Sequence, residues 1–166
     1  AAAALGVPVS DFTINAGVDI LSFGGTKNGM LMDEVIVVFN PDVVHGVEYF
    51  RKSYMQLNSK MRFASAQMIA LLSEDLWLKS ATHANEMAQK LKSAVEQIPG
   101  ITIEVPTDAN AVFARMPAEV IERLQSKWRF YTWDSPTLVR WMCAWDTQAS
   151  DVDAFAADIA TEMAAH

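Results

Sequence analysis

A short apolar strand that runs straight into paired glycines narrows this chain's architecture more than any other stretch. Residues 18–29 read VDILSFGGTKNG. The run predicts a buried strand over Val18–Phe23 that ends in a tight loop at a sheet edge. The loop carries one lysine, Lys27, with the Thr26 hydroxyl beside it. Glycine frees the backbone from side-chain crowding, and a strand end fixes where the lysine emerges. An amine presented in this way is a candidate for imine formation with an aldehyde, provided that desolvation or nearby positive charge favours its neutral form. The simpler alternative is an ordinary loop lysine. A phosphate-cradling P-loop is excluded, because Lys27 follows Thr26 and precedes Asn28, where that motif needs Gly-Lys-Ser/Thr.

Further along, Glu34–Phe39 holds Val35, Ile36, Val37 and Val38 in succession. So continuous a run predicts a strand covered on both faces. Asn40-Pro41-Asp42 breaks the pattern and opens a helical region to about Leu78, with a bend near Asn58-Ser59. At the start, residues 1–5 read as a helix end stopped by Gly6 and Pro8, and Ser10-Asp11 as the cap of a short turn. Ala84, Met87, Leu91, Val95 and Ile98 follow a helical period that Pro99-Gly100 ends.

After Gly100 the period shortens. Ile101, Ile103 and Val105 alternate with polar residues, Ala111–Met116 reads as a strand, and Pro117 starts a helix to about Lys127. Phe130–Trp133 and Leu138–Trp145 predict two more strands, and Ser150 a cap for a last helix over Asp151–Ala165. The expected fold class is α/β: one lobe over 1–75, and a small α+β lobe over 76–166. The boundary falls near Ser73–Ser80, bridged by a helix in place of a Gly/Ser-rich linker. No internal repeat is present.

Half of the residues are apolar (51%), enough to bury a real core, and nothing in the composition suggests disorder. The formal charge of -7 and the lack of a basic stripe argue against a nucleic-acid partner. No apolar stretch approaches membrane-spanning length, and the opening alanines lack a basic flank and an h-region, so no membrane partner is expected. One cysteine, Cys143, allows no internal disulfide and fits a cytoplasmic protein. It reads as a buried thiol. His45, His83 and His166 are scattered and form no metal-ligand pattern, so no metal is expected. His45 and His83 read as surface helix residues, and the five tryptophans as core or interface.

Four segments together resemble one family: Ala1–Pro8, Asp19–Gly29, Ser59–Gln67, and Leu138–Met142 with Trp145-Asp146. In this order they are similar to the low-specificity L-threonine aldolases, fold-type-I enzymes that use pyridoxal 5'-phosphate. The resemblance covers essentially the whole chain. It implies that residues 1–75 are the C-terminal part of a pyridoxal-phosphate-binding large domain and residues 76–166 its small C-terminal domain. It also implies a lyase that cleaves L-threonine or L-allo-threonine to glycine and acetaldehyde. Two alternatives stand beside this: another fold-type-I enzyme, such as an aminotransferase or β-eliminating lyase, and a non-catalytic fragment or interaction domain.

By the same resemblance Lys27 is the Schiff-base lysine, with Thr26 beside it at the cofactor. Arg62 matches an arginine that lies near the cofactor phosphate across a subunit interface; on its own it reads equally as a solvated helix residue. Arg140 lies on a strand face with Leu138, Met142 and Ala144. From the pattern alone an ion pair with Asp134, Asp146 or Glu162 is the simpler reading. The resemblance implies instead a grip on the substrate α-carboxylate, which a planar guanidinium suits.

In the family an Asp-Gly-Ala-Arg turn precedes the alanine-rich opening helix. That turn is not in this sequence, nor are the aspartate, histidine and arginine expected upstream. The chain is therefore expected to correspond to the C-terminal half of an enzyme, with the other half as a partner, to assemble as a homo-oligomer (dimer or tetramer), and to be inactive alone.

Overall fold

A computed structural model describes all residues, Ala1–His166. The chain divides into two compact units, one spanning Ala4–Lys79 and the other Ser80–His166. In chain order the elements are α1 (Ala2–Leu5), β1 (Ile20–Gly24), β2 (Glu34–Val38), α2 (Val47–Ser53), α3 (Met61–Leu72), α4 (Leu76–Val95), β3 (Thr102–Ile103), β4 (Ala111–Arg115), α5 (Ala118–Gln125), β5 (Tyr131–Thr132), β6 (Leu138–Met142) and α6 (Ala149–Ala164). Short 3-10 turns fill several connections. No helix is long and apolar enough to cross a membrane.

In the first unit β1 and β2 form an antiparallel hairpin, with Ile20 opposite Val38 and Gly24 opposite Glu34. This corrects two expectations. The strand near residue 20 is half-exposed instead of buried, and β2 is not covered on both faces, since Ile36 is 64% exposed. A connection of only nine residues, 25–33, joins the strands, and a parallel crossover needs a dozen or more. The two strands thus pair with each other.

The expected helical region to Leu78 is broken in two places. Tyr54 ends α2, Met55 takes a left-handed φ of 60°, and Asn58 Oδ1 accepts the Lys60 N–H in a local turn that opens α3. Between α3 and α4, Glu74 and Asp75 take φ of 51° and 57°. Two consecutive left-handed residues cannot continue a helix, so α4 starts as a new one. Pro8, not Ser10 or Asp11, stands at the cap of the first 3-10 turn.

The second unit has a four-stranded antiparallel sheet in the order β3-β4-β6-β5. Alternation along β4 and β6 directs Val112, Ala114, Val139 and Trp141 to a core completed by Ala88, Leu91 and Val95 of α4, Ile121 and Leu124 of α5, and Phe155 and Ile159 of α6. At ~25 cal/mol per Å² of apolar surface, side chains this fully buried make the sheet–helix interface the main source of the unit's stability. The expected strands and helices are all present, but β3 stops at Ile103 short of Val105, β6 at Met142 short of Trp145, and α4 at Val95 short of Ile98. One cap differs: Gln148, in extended conformation, precedes α6, and Ser150 lies inside its first turn.

Candidate functional site

The lysine turn is built almost entirely by main chain. Gly25 C=O accepts the N–H groups of Asn28 (2.9 Å) and Met30 (3.1 Å), and Gly29 closes the turn at φ 107°. Only glycine adopts that φ without steric cost, which gives Gly29 its role. Gly25 has a different one: a Cβ there would overlap the side chains of Met30 and Leu71, so its bareness serves internal packing. A Cβ on Gly24 would likewise meet the Glu34 carboxylate.

Two side-chain amides tether the turn to the neighbouring helices. Asn28 Nδ2 donates to the Trp77 carbonyl at 2.9 Å, at the start of α4. Gln67 Oε1, on α3, accepts from the N–H groups of Leu31 (2.9 Å) and Met32 (3.3 Å). Lys27 and Thr26 thereby project, exposed, from a turn held at both ends. Lys27 enters none of the ion pairs of the chain.

Arg62 lies in the first turn of α3 in the same unit, exposed, with Cζ 5.1 Å from the ring centroid of Phe63. No hydrogen bond links it to the lysine turn. Lys27 and Thr26 thus share one turn, and Arg62 stands on a separate element.

Arg140, in the second unit, sits on β6 opposite Phe113 of β4 and Tyr131 of β5. The predicted alternation holds: Val139, Trp141 and Cys143 face the core, while Arg140 and Met142 lie on the other face. The ion pair favoured by pattern alone is not formed. Glu162 is taken by Arg123, and Arg140 pairs with neither Asp134 nor Asp146. Its Nε is buried and has no acceptor. Its Cζ instead lies 4.3 Å from the centroid of the Trp133 ring.

Cys143 and His83 read as structural. Burial pushes the Cys143 thiol up to about 11, as for an inert core cysteine. His83 Nε2 lies 2.8 Å from the Thr147 carbonyl and is part-buried on α4, so it serves packing, while His45 is exposed in a loop and not on a helix. The histidines, Cys143 and the carboxylates form no cluster able to hold a metal ion. Pattern reasoning missed Trp133, and the signal was available: it lies two residues beyond Tyr131, the cross-strand neighbour of Arg140.

Residues 1–119 match the model of a family described as beta-eliminating lyase. Over 166 residues, 99% of this chain, it is 45% identical to a low specificity L-threonine aldolase of a Pseudomonas species and 42% identical to one of Pseudomonas aeruginosa. In both cases the match covers 48% of the relative, so the chain spans about half the length of the relatives it matches. Among solved structures, a threonine aldolase of Leishmania major superposes with a TM-score of 0.81 at 22% identity, over 90% of this chain and 45% of that one. A sphingosine-1-phosphate lyase of Burkholderia pseudomallei superposes with a TM-score of 0.50 at 16% identity, over 88% of this chain and 30% of that one. At these identities the superpositions carry the fold alone. With the family model covering well over half of its residues, this chain belongs to the beta-eliminating lyase family.

Proposed function

We propose that the chain forms part of a pyridoxal-phosphate-dependent lyase that cleaves L-threonine or L-allo-threonine to glycine and acetaldehyde. The observation that carries this reading is the similarity, over 99% of the chain, to two enzymes named low specificity L-threonine aldolase. The reaction is assigned to the protein that matches the relatives' full length. On the same reading residues 1–75 are part of its cofactor-binding domain and residues 76–166 a small C-terminal domain. The partners are the amino-acid substrate, the polypeptide corresponding to the rest of the relatives' length, and further copies in a homo-oligomer, in the cytoplasm.

The residues present fit the cofactor. Lys27 offers an amine engaged by no carboxylate, on a turn whose shape does not depend on it. Thr26 places a hydroxyl next to that amine, and Arg62 offers an unpaired guanidinium for a phosphate. When bound, pyridoxal phosphate supplies an electron sink for the pair released when the Cα–Cβ bond breaks. Lys27 would hold the cofactor's aldehyde through Nζ. Arg140 would hold the substrate α-carboxylate through two parallel N–H donors, a geometry its unpaired guanidinium is free to adopt.

The test is to supply the full-length enzyme with threonine and assay acetaldehyde and glycine, then 2-oxo acid. Acetaldehyde in step with glycine is the expected result. Formation of 2-oxo acid without acetaldehyde would instead assign the chain to a transaminating or β-eliminating enzyme.

A further inference from the structure

Arg140 is an unusual cation for a folded protein, since it enters no ion pair and its buried Nε has no acceptor. An arginine intended only for stability would be paired, because a buried unpaired donor is costly. What holds this one is an aromatic face, the indole of Trp133, 4.3 Å from Cζ.

The support beneath that indole is layered. Phe113, directly across from Arg140 on β4, meets Trp133 edge-on, with centroids 5.6 Å apart and an interplanar angle of 75°. The backbone N–H of Trp133 donates to the Leu138 carbonyl at 2.8 Å, closing the turn between β5 and β6. Arg115 pins the same turn. Its Nη1 donates to Thr137 Oγ1 at 3.0 Å and to Ser135 Oγ at 3.4 Å, while Nε and Nη2 engage both Glu104 oxygens at 3.0 and 2.9 Å. Trp133 is 54% exposed, too open for a core residue, yet Phe113 packs against its ring and its backbone N–H is bonded to Leu138.

A π face attracts a guanidinium through its quadrupole and consumes none of its N–H donors. A carboxylate would orient Arg140 equally well and would also occupy the donors and neutralise the charge that an anionic ligand needs. We propose that Trp133 is a positioning residue: its indole fixes the plane of the Arg140 guanidinium and leaves its donors free for the α-carboxylate of the amino-acid substrate. This rests on the reading of Arg140 given under Proposed function.

Three variants test it in the holoenzyme: Trp133→Ala, Trp133→Phe and Arg140→Lys. Trp133→Ala should raise KM for threonine about three- to thirtyfold, the range of a cation–π contact, with kcat within twofold of the parent. Trp133→Phe, which keeps a ring, should recover most of the loss. Independently of activity, the Arg140 Nε–H resonance of the full chain should be displaced by the indole ring current, return toward the ordinary arginine position in Trp133→Ala, and stay displaced in Trp133→Phe. An unshifted resonance in the parent, or an unchanged KM in Trp133→Ala alongside a raised KM in Arg140→Lys, overturns the positioning role alone. An unchanged KM in Arg140→Lys overturns the carboxylate role of Arg140, and the inference with it.

Discussion

Lys27 leaves the fold from a turn that the main chain closes, so its replacement removes an amine without removing a support. Lys27→Ala in the full-length enzyme is therefore expected to fold normally and to lose both the visible absorbance of bound cofactor and its borohydride-stable attachment. Retention of both in an absorbance and mass measurement would shift the role to another lysine. Arg140→Lys keeps the charge and discards the fork, which should lower kcat/KM on the order of ten- to a thousandfold in steady-state assays. Cys143 gives a contrasting expectation. With its thiol raised to about 11 by burial, roughly one part in a thousand is thiolate at pH 8, so alkylation should be very slow in the native protein and rapid after denaturation.

At the scale of elements, the Glu104–Arg115 pair ties β3 to β4 and, through Ser135 and Thr137, to the turn that presents Trp133. The Arg115 hydrogen bond holds the Glu104 carboxyl below the ordinary carboxylate range. A carboxyl with a depressed folded value stabilises the fold above its unfolded pKa and loses that contribution as pH falls through the folded value. The turn should therefore keep its amide protection at neutral pH and lose it below about pH 4, the usual carboxylate region. Glu104→Gln should lower protection at pH 7 and flatten that dependence, as read by hydrogen exchange at Trp133 and Leu138. Asp158 follows the same sign, depressed first by its hydrogen bond with Lys127 and then by that with Trp128.

Elements governed by local periodicity were legible in the sequence. The β4 and β6 alternation and the apolar spacing of α4 are carried by residues whose burial the structure reproduces, such as Val112, Val139, Leu91 and Val95. What the sequence concealed depends on long-range contacts. Nothing local announces that Asn28 reaches Trp77 or that Gln67 reaches Leu31, because these bonds span 49 and 36 residues. The apolar run of β2 announced cover on both faces, whereas in the structure Ile36 is 64% exposed. The Lys27 turn was visible as composition, whereas the missing acid partner of Arg140 required the structure.

For the whole molecule, apolar residues are distributed unevenly. The second unit holds the large buried cluster, while in residues 4–79 the buried hydrophobic side chains are Met30 and Leu71. Leu31 (84%) and Met55 (91%), with Tyr49, Tyr54 and Ile69, stand in solvent. Exposed apolar surface on this scale favours association. The isolated 166-residue polypeptide should therefore sediment as an oligomer or aggregate and bind pyridoxal phosphate weakly, with the polypeptide covering the rest of the relatives' length shifting both. A well-behaved monomer with tight cofactor binding would contradict this.

The two amide tethers on the lysine turn carry a kinetic consequence. A loop that a ligand must order first pays for that ordering at the moment of capture, and capture slows. Asn28 and Gln67 have already fixed this loop against α4 and α3, so under the proposed function Lys27 needs no ordering before it meets the cofactor. Cofactor uptake should then proceed in one phase whose rate scales with cofactor concentration, and Asn28→Ala should add a slower, concentration-independent phase to stopped-flow traces.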